Sequence, residues 1–257
     1  MNGLQGEHWE ALSKIDNVLH QAKQFVGAAK LHGGVECASL LLWIDWLKSL
    51  FPTLSMLIAH RINTLAQLEE LPPHVAIEFD VRDSGGLLLV EHDPFVPVEP
   101  SLPLESFLEK VGERFLIVNI KSEGIEPRIL TLLKEHSLER FFLLDCSFPM
   151  IVKLSNAGEK RIAVRYSEYE SLETVFALQG KVSWVWIDCF TWFPLTKEEE
   201  QFLHVAGFNL CIVSPELQGQ PEKIQTYKNM LATDNILVDA ICTKYERFQE
   251  WVSLFEG

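Results

Sequence analysis

The chain has 257 residues, of which 47% are hydrophobic and 23% charged, a composition typical of a globular protein with a large apolar core. An intrinsically disordered chain is thereby excluded. Lysine and arginine together number 22, aspartate and glutamate 36, and the net charge is −14. Because such a surface repels phosphate backbones and anionic lipids, we expect no nucleic-acid partner, and a cationic or small-molecule partner instead.

The N-terminal residues show neither a basic segment nor an apolar run followed by small residues, so we expect no secretory signal and a cytoplasmic location. The most apolar stretch, residues 38–44, is far shorter than the roughly 20 residues that cross a bilayer, and no membrane span is predicted. Five cysteines are scattered through the chain, mostly in apolar runs, which predicts reduced core thiols rather than metal ligands or a disulfide framework.

From Leu57 onward, apolar runs rich in β-branched and aromatic residues alternate with amphipathic segments of helical period. Eight such runs predict strands, over residues 56–60, 75–81, 115–121, 141–145, 161–166, 183–188, 209–214 and 236–243. The segments between them predict helices over residues 64–70, 104–111, 126–136, 168–178, 197–205 and 221–231, with a last helix over 245–255. This alternation predicts an α/β protein with a (β/α)8 TIM barrel over residues 56–257. An open doubly wound sheet is the alternative, but the glycine-rich phosphate loop that would favour it does not occur.

Residues 1–55 precede the repeat and predict an N-terminal helical extension. One helix is expected over residues 7–30 and a second over 38–51, with a break at Gly33-Gly34 and a stop at Pro52. We expect a helical layer that covers the bottom of the barrel. A lid or partner-binding hairpin is one alternative, and a dispensable segment before Met56 is another.

Polar residues collect at the ends of the first three predicted strands, where a barrel of this kind forms its active site. They are His60, Arg61, Glu78, Asp80, Asn119 and Lys121, and the hairpin after the second strand adds His92. Because side chains alternate along a strand, Glu78 and Asp80 point to one face, and so do Asn119 and Lys121. Two adjacent buried carboxylates repel each other unless a cation lies between them, which predicts an Mg²⁺ or Ca²⁺ site. Salt bridges to nearby arginine or lysine side chains are the alternative.

Two histidines flank these carboxylates along the chain. Because an ordinary histidine side chain exchanges its proton near neutral pH, His60 and His92 are expected to suit the roles of general base and general acid. Lys121 supplies a positive charge that stabilises an anionic transition state. Metal, bases and cations together favour hydrolysis or transfer at a phosphate ester over hydride or aldol chemistry.

Four strings in this region, IAHRINT (58–64), IEFDV (77–81), EHD (91–93) and NIK (119–121), resemble the glycerophosphodiester phosphodiesterase family of the phospholipase-C-like barrels. CSF (146–148) and DAICT (239–243) resemble the same family. The resemblance implies a small glycerol- or sugar-type phosphodiester as substrate. It also implies that His60 and His92 are the acid/base pair, that Glu78 and Asp80 bind the metal, and that Arg61 and Lys121 hold the phosphate. Asn63 is a further candidate member of the site.

The chain departs from the family pattern at two places. Asn119 stands where the family has an acidic ligand, so we expect a metal site with one negative charge fewer and weaker affinity. Only residues 94–114 separate the EHD string from the next strand, where the family commonly carries a larger insertion. The resemblance therefore supports phosphodiester chemistry more than glycerol specificity. A barrel that binds a phosphorylated ligand without cleaving it is the alternative, and a Schiff-base enzyme using Lys121 or Lys244 is a third.

The later strand ends are expected to line the same pocket. The candidate substrate-binding residues there are Arg165, Trp186, Ser214, Glu216 and Lys244. Arg165 and Lys244 are expected to contact phosphate, and Trp186 with Trp192 to stack on a flat group, with strand packing as the alternative for Trp186. The YSEYE run (166–170) predicts the start of a helix capped by Ser167.

Overall fold

A computed structural model of the chain describes residues 56–94 and 101–252. The predicted helical extension, residues 1–55, lies outside the described residues, as do Cys37 and the end of the last predicted helix. The division of the chain into that extension and a barrel over 56–257 stays a prediction.

Within residues 56–94 and 101–252, nine strands form one sheet. They are β1 (Met56–Ala59), β2 (Ala76–Ser84), β3 (Leu87–Val90), β4 (Leu116–Ile120), β5 (Phe141–Leu144), β6 (Ala163–Tyr166), β7 (Trp184–Ile187), β8 (Asn209–Val213) and β9 (Ala240–Thr243). Eight of them follow the order β5-β4-β2-β1-β9-β8-β7-β6, each pair parallel, and β3 pairs antiparallel with β2. A single bridge between Leu143 and Ile162 joins β5 to β6. The predicted (β/α)8 barrel is thereby confirmed, nearly closed at this seam.

Helices lie between the strands. They are α1 (Leu65–Glu70), α2 (Leu104–Leu108), α3 (Glu126–Glu135), α4 (Phe148–Asn156), α5 (Leu172–Phe176), α6 (Lys197–Val205), α7 (Ile224–Thr233) and α8 (Phe248–Val252). Helix α4 was not among the predicted helices, and it contains a proline, Pro149. The proline is tolerated there in the first turn, where no helical N–H bond is lost, and Ser147 caps the helix.

The predicted helix start at Ser167 is wrong. The Ser167 hydroxyl donates to Glu170 over 2.7 Å, and the backbones of these two residues form a short antiparallel bridge. The pair therefore closes a turn, and α5 begins only at Leu172, after Ser171. A serine with a glutamate three residues later suits a tight turn as well as a capping box, so the pattern alone did not decide between them.

Inward and outward side chains of the barrel form two apolar layers. The outer layer packs between strands and helices, and the smaller inner layer fills the barrel. Phe142, Trp184 and Trp186 lie in the inner layer, with the rings of Phe142 and Trp184 stacked 4.8 Å apart. Burial of both strand faces explains why the strands are almost continuously apolar in sequence. These aromatic rings form the floor below the polar residues of the mouth.

Cys146, Cys189, Cys211 and Cys242 are buried and free, as predicted. Within the described ranges, no helix has the length and apolar character that a membrane span requires.

A histidine bridges two carboxylates near the start of β9, at the end of the barrel opposite the mouth. His204 Nδ1 lies 2.6 Å from Glu200 Oε1, and Nε2 lies 2.9 Å from Asp239 Oδ2. Burial opposes the charged form, but the two carboxylates outweigh it and raise the pKa of His204 to about 9. The imidazolium can donate to both partners at once, which the neutral ring cannot.

This bridge predicts a pH-dependent stability. His204→Gln should lower the free energy of unfolding by about 2 kcal/mol at pH 6, where the native imidazolium is charged. The folded-state pKa lies above the ordinary value of 6.5, so the contribution is complete below pH 6.5 and is lost as the pH rises through about 9. Urea unfolding of both proteins at pH 6 and pH 10 measures the difference. An equal loss at both pH values would contradict the assignment.

Candidate active site

Two buried carboxylates of β2 form the centre of the barrel mouth. Glu78 Oε2 accepts the backbone N–H of Arg61 at 2.7 Å, and Oε1 accepts the Asn119 side-chain amide at 2.8 Å. Burial and the neighbouring Asp80 carboxylate raise the pKa of Glu78 above its ordinary value. Asn119 Oδ1, on the adjacent strand, is buried and accepts no hydrogen bond.

Asp80 has partners on several sides. Asn63 donates its amide to Asp80 Oδ2 at 2.8 Å, and the Asn63 side-chain oxygen accepts the Asp80 backbone N–H at 2.9 Å. Lys121 Nζ lies 3.4 Å from Asp80 Oδ1, and Arg61 Nε lies 3.7 Å from Oδ2. The predicted member Asn63 is thus brought to the carboxylate pair, and salt bridges to Arg61 and Lys121 also form.

His60 follows β1 and faces the same carboxylates, with Nε2 3.7 Å from Glu78 Oε2. Burial, helped by the positive charges of Arg61, Lys121 and Lys244, lowers the pKa of His60 to about 4. Its imidazole is therefore neutral at pH 7 and has a nitrogen free to accept a proton. Arg61 turns away from the strand with φ 58°, which breaks the alternation and lets its N–H reach Glu78.

His92 lies just after the β2–β3 hairpin. Its Nδ1 lies 2.7 Å from Asp93 Oδ1, while Arg82 donates to its backbone carbonyl at 2.9 Å. The hydrogen bond from His92, with a smaller contribution from Arg61, lowers the pKa of Asp93. A carboxylate on Nδ1 fixes the orientation of the ring and leaves Nε2 for proton transfer, as in other histidine–carboxylate pairs.

The polar network continues around the mouth beyond the first three strands. Lys121 Nζ donates to Asp145 Oδ2 at 3.3 Å, and Asp145 Oδ1 accepts Arg165 Nε at 2.8 Å. Arg165 also pairs with Asp188, which accepts a 3.3 Å bond from Gln218. Burial raises the pKa of Asp188 to about 6, against the opposing effect of Arg165.

Sequence reasoning missed Asp145 and Gln218 as members of this network. By alternation, Asp145 continues the outward face of Phe141 and Leu143, which pack in the outer layer. Its φ of 60° breaks that alternation and turns the carboxylate to the mouth. One feature of the sequence could have identified Asp145 as a residue of the mouth, namely that it directly follows the apolar run FFLL.

The remaining candidates lie in three different settings. Trp186 is 4% exposed within the inner layer, so it packs as the alternative interpretation expected. Ser214 is fully buried, where its hydroxyl donates to Glu216 and accepts from Trp251 Nε1 at 3.0 Å. Glu216 accepts the backbone N–H of Lys244 at 3.1 Å, while the Lys244 charge acts on His60.

Within residues 56–94 and 101–252, no three histidine, cysteine, aspartate or glutamate side chains are grouped so that they could hold a metal ion. A metal centre here would therefore need a ligand of another type. The side chains of Glu78, Asp80 and Asn119 lie on the neighbouring strands β2 and β4, and the NH₂ group of Asn119 faces Glu78. Of their side-chain oxygens, Asn119 Oδ1 is the one without a partner. Oxygen ligands of this kind match the preference of Mg²⁺ and Ca²⁺.

Comparison with known proteins gives structural neighbours alone, since no family model and no curated protein matches the sequence. A phosphodiesterase from Oleispira antarctica, solved with sn-glycerol-3-phosphate, aligns with TM-score 0.56 and 18% identity over 81% of this chain and 98% of its own. A glycerophosphodiester phosphodiesterase from Thermotoga maritima aligns with TM-score 0.58 and 15% identity over 78% of this chain and 98% of its own. One from Agrobacterium tumefaciens aligns with TM-score 0.55 and 18% identity over 74% and 96%.

These neighbours belong to the family that the motifs of β1, β2 and β4 resemble, so the resemblance is confirmed at the level of the fold. The chain has the barrel fold of the glycerophosphodiester phosphodiesterases.

Proposed function

We propose that this protein is a phosphoric diester hydrolase that acts on a small glycerol- or sugar-type phosphodiester. One observation carries the proposal. His60 Nε2 lies 3.7 Å from Glu78 Oε2 at the mouth of a barrel with the glycerophosphodiester phosphodiesterase fold. The Oleispira antarctica neighbour was solved with sn-glycerol-3-phosphate, which supports a glycerol-type substrate.

Three cations define where the phosphate binds. Arg61, Lys121 and Lys244 all act electrostatically on His60, so together they make the potential at its ring more positive. Glu78 and Asp80 counter part of this charge, and a phosphodiester anion supplies more. A phosphate beside His60 therefore meets donors from three loops, which orient it and stabilise charge that develops on its oxygens.

The two histidines move the protons. One imidazole removes the proton of the attacking hydroxyl, and the other donates a proton to the leaving alkoxide. His60, which lies beside Glu78, and His92, which is paired with Asp93, are the two residues proposed for these roles. Where the substrate has a hydroxyl next to the phosphoester, that hydroxyl attacks first and gives a cyclic phosphate, which water then opens.

Glu78, Asp80 and Asn119 are the residues that would hold a divalent cation, Mg²⁺ or Ca²⁺. The buried and unpaired Asn119 Oδ1 supports this ligand set, because a hard cation takes such an oxygen readily. When bound, the cation supplies Lewis acidity at the phosphate. The amide gives one negative charge fewer than a carboxylate would, so binding is expected to be weak.

Replacing either His60 or Glu78 tests the proposed chemistry. His60→Gln and Glu78→Gln should each reduce kcat by at least about a hundredfold, because one loses a proton-transfer group and the other a buried charge. Hydrolysis of bis(p-nitrophenyl) phosphate and of glycerophosphodiesters, with and without Mg²⁺, Ca²⁺ or Mn²⁺, measures the effect.

His136→Gln is the matched control, because His136 lies at the C-terminal end of α3, away from the mouth. Turnover retained in the His60 or Glu78 variant would contradict the mechanism. Phosphate-ligand binding without turnover by the folded wild-type protein would favour the alternative, a barrel that binds but does not cleave.

Asn119→Asp tests the ligand set separately from catalysis. A third carboxylate should tighten Mg²⁺ or Ca²⁺ binding about tenfold, since ligand charge sets affinity for hard cations. Isothermal titration calorimetry with each metal on the wild-type and variant proteins measures it. Equal affinities would remove Asn119 from the ligand set.

A further inference from the structure

We propose that Asp145 is a positioning residue that holds the ammonium group of Lys121 at the centre of the mouth, where it binds phosphate. This inference rests on the proposed function for the role of Lys121, and it concerns a residue to which the sequence assigned no part.

Lys121 lies between two carboxylates rather than in one ion pair. Its Nζ is 3.4 Å from Asp80 Oδ1 and 3.3 Å from Asp145 Oδ2, and only 18% of the side chain is exposed. A lysine carries a compact charge on a flexible stem, so a single carboxylate would draw the ammonium to itself. A second carboxylate opposite Asp80 keeps the charge between them.

Asp145 is itself held in place by Arg165. Arg165 places both Nε and Nη2 on Asp145 Oδ1, at 2.8 and 2.6 Å, which leaves Oδ2 for Lys121. The left-handed backbone of Asp145 turns its carboxylate inward, and aspartate is among the few non-glycine residues that adopt this conformation readily.

The charges of the network keep Lys121 available to an anion. Arg61 shares Asp80, and Arg165 shares Asp145, so each carboxylate is already partly neutralised by an arginine. The contacts of Lys121, at 3.4 and 3.3 Å, are longer than the 2.6 Å contact between Arg165 and Asp145. An arriving phosphate can compete for the ammonium without breaking a tight pair.

Asp145 also spans the seam between β5 and β6, so a purely structural role is the competing explanation. The variant Asp145→Asn distinguishes the positioning role from the structural role. The variant keeps an oxygen that can accept from Arg165, but it turns an NH₂ group toward Lys121 and removes the attraction. Lys121→Met removes the ammonium and keeps the length of the chain.

A double-mutant cycle on the affinity for inorganic phosphate tests the proposal, using Asp145→Asn, Lys121→Met and the double variant, measured by calorimetry on the full chain. Asp145→Asn should weaken binding about tenfold in the wild-type background and leave it unchanged when Lys121 is already methionine. Glu139→Gln, which removes one negative charge from the Arg161 pair at the opposite end of the barrel, should leave the affinity unchanged.

An equal loss in both backgrounds, no loss in either, or no phosphate binding by the wild-type protein would overturn the proposal. Turnover is measured separately on the same four proteins. A wild-type protein that shows the coupling but cleaves no phosphodiester would refute the proposed function and leave the role of Asp145 standing.

Discussion

Burial of two carboxylates on one face of β2 is the constraint on which the mouth of this barrel depends. Glu78 and Asp80 are almost fully removed from water, and two like charges so placed are costly unless they are paired or protonated. Their hydrogen-bond partners supply proton donors, and Lys121 and Arg61 add positive charge beside Asp80. The backbone of Arg61, the amides of Asn63 and Asn119, and the ammonium of Lys121 satisfy these oxygens.

This arrangement also links the site to the backbone. The N–H of Arg61 reaches Glu78 only because Arg61 adopts a left-handed conformation, and Asp145 uses the same device at the end of β5. Both positions lie directly after strands, where such a turn redirects a side chain or an N–H group toward the mouth. The strain of each turn is small beside the energy of leaving a buried carboxylate without donors.

Strand periodicity allowed much of this architecture to be predicted from sequence. All eight barrel strands follow from apolar runs in the sequence, and alternation predicts that Glu78 and Asp80 share a face, as do Asn119 and Lys121. Alternation also explains the failures. Asp145 leaves the outward face only through its backbone turn, and Ser214 continues the outward face of β8 and so bonds Trp251 of α8 instead of lining the pocket.

The seam between β5 and β6 gives the barrel an uneven mechanical character. One backbone bridge joins these strands, whereas every other neighbouring pair of the barrel shares a ladder. An arginine of β6 or its flanks contacts β5 or its flanks at each end of the seam. Arg165 binds Asp145 near the mouth, and Arg161 binds Glu139 and covers the ring of Phe141 at the other end. Ion pairs between side chains thus make up for the few backbone hydrogen bonds between β5 and β6. Fluctuations that open the barrel should therefore begin between β5 and β6. Raising the ionic strength should weaken the contact between these two strands before that between any other pair.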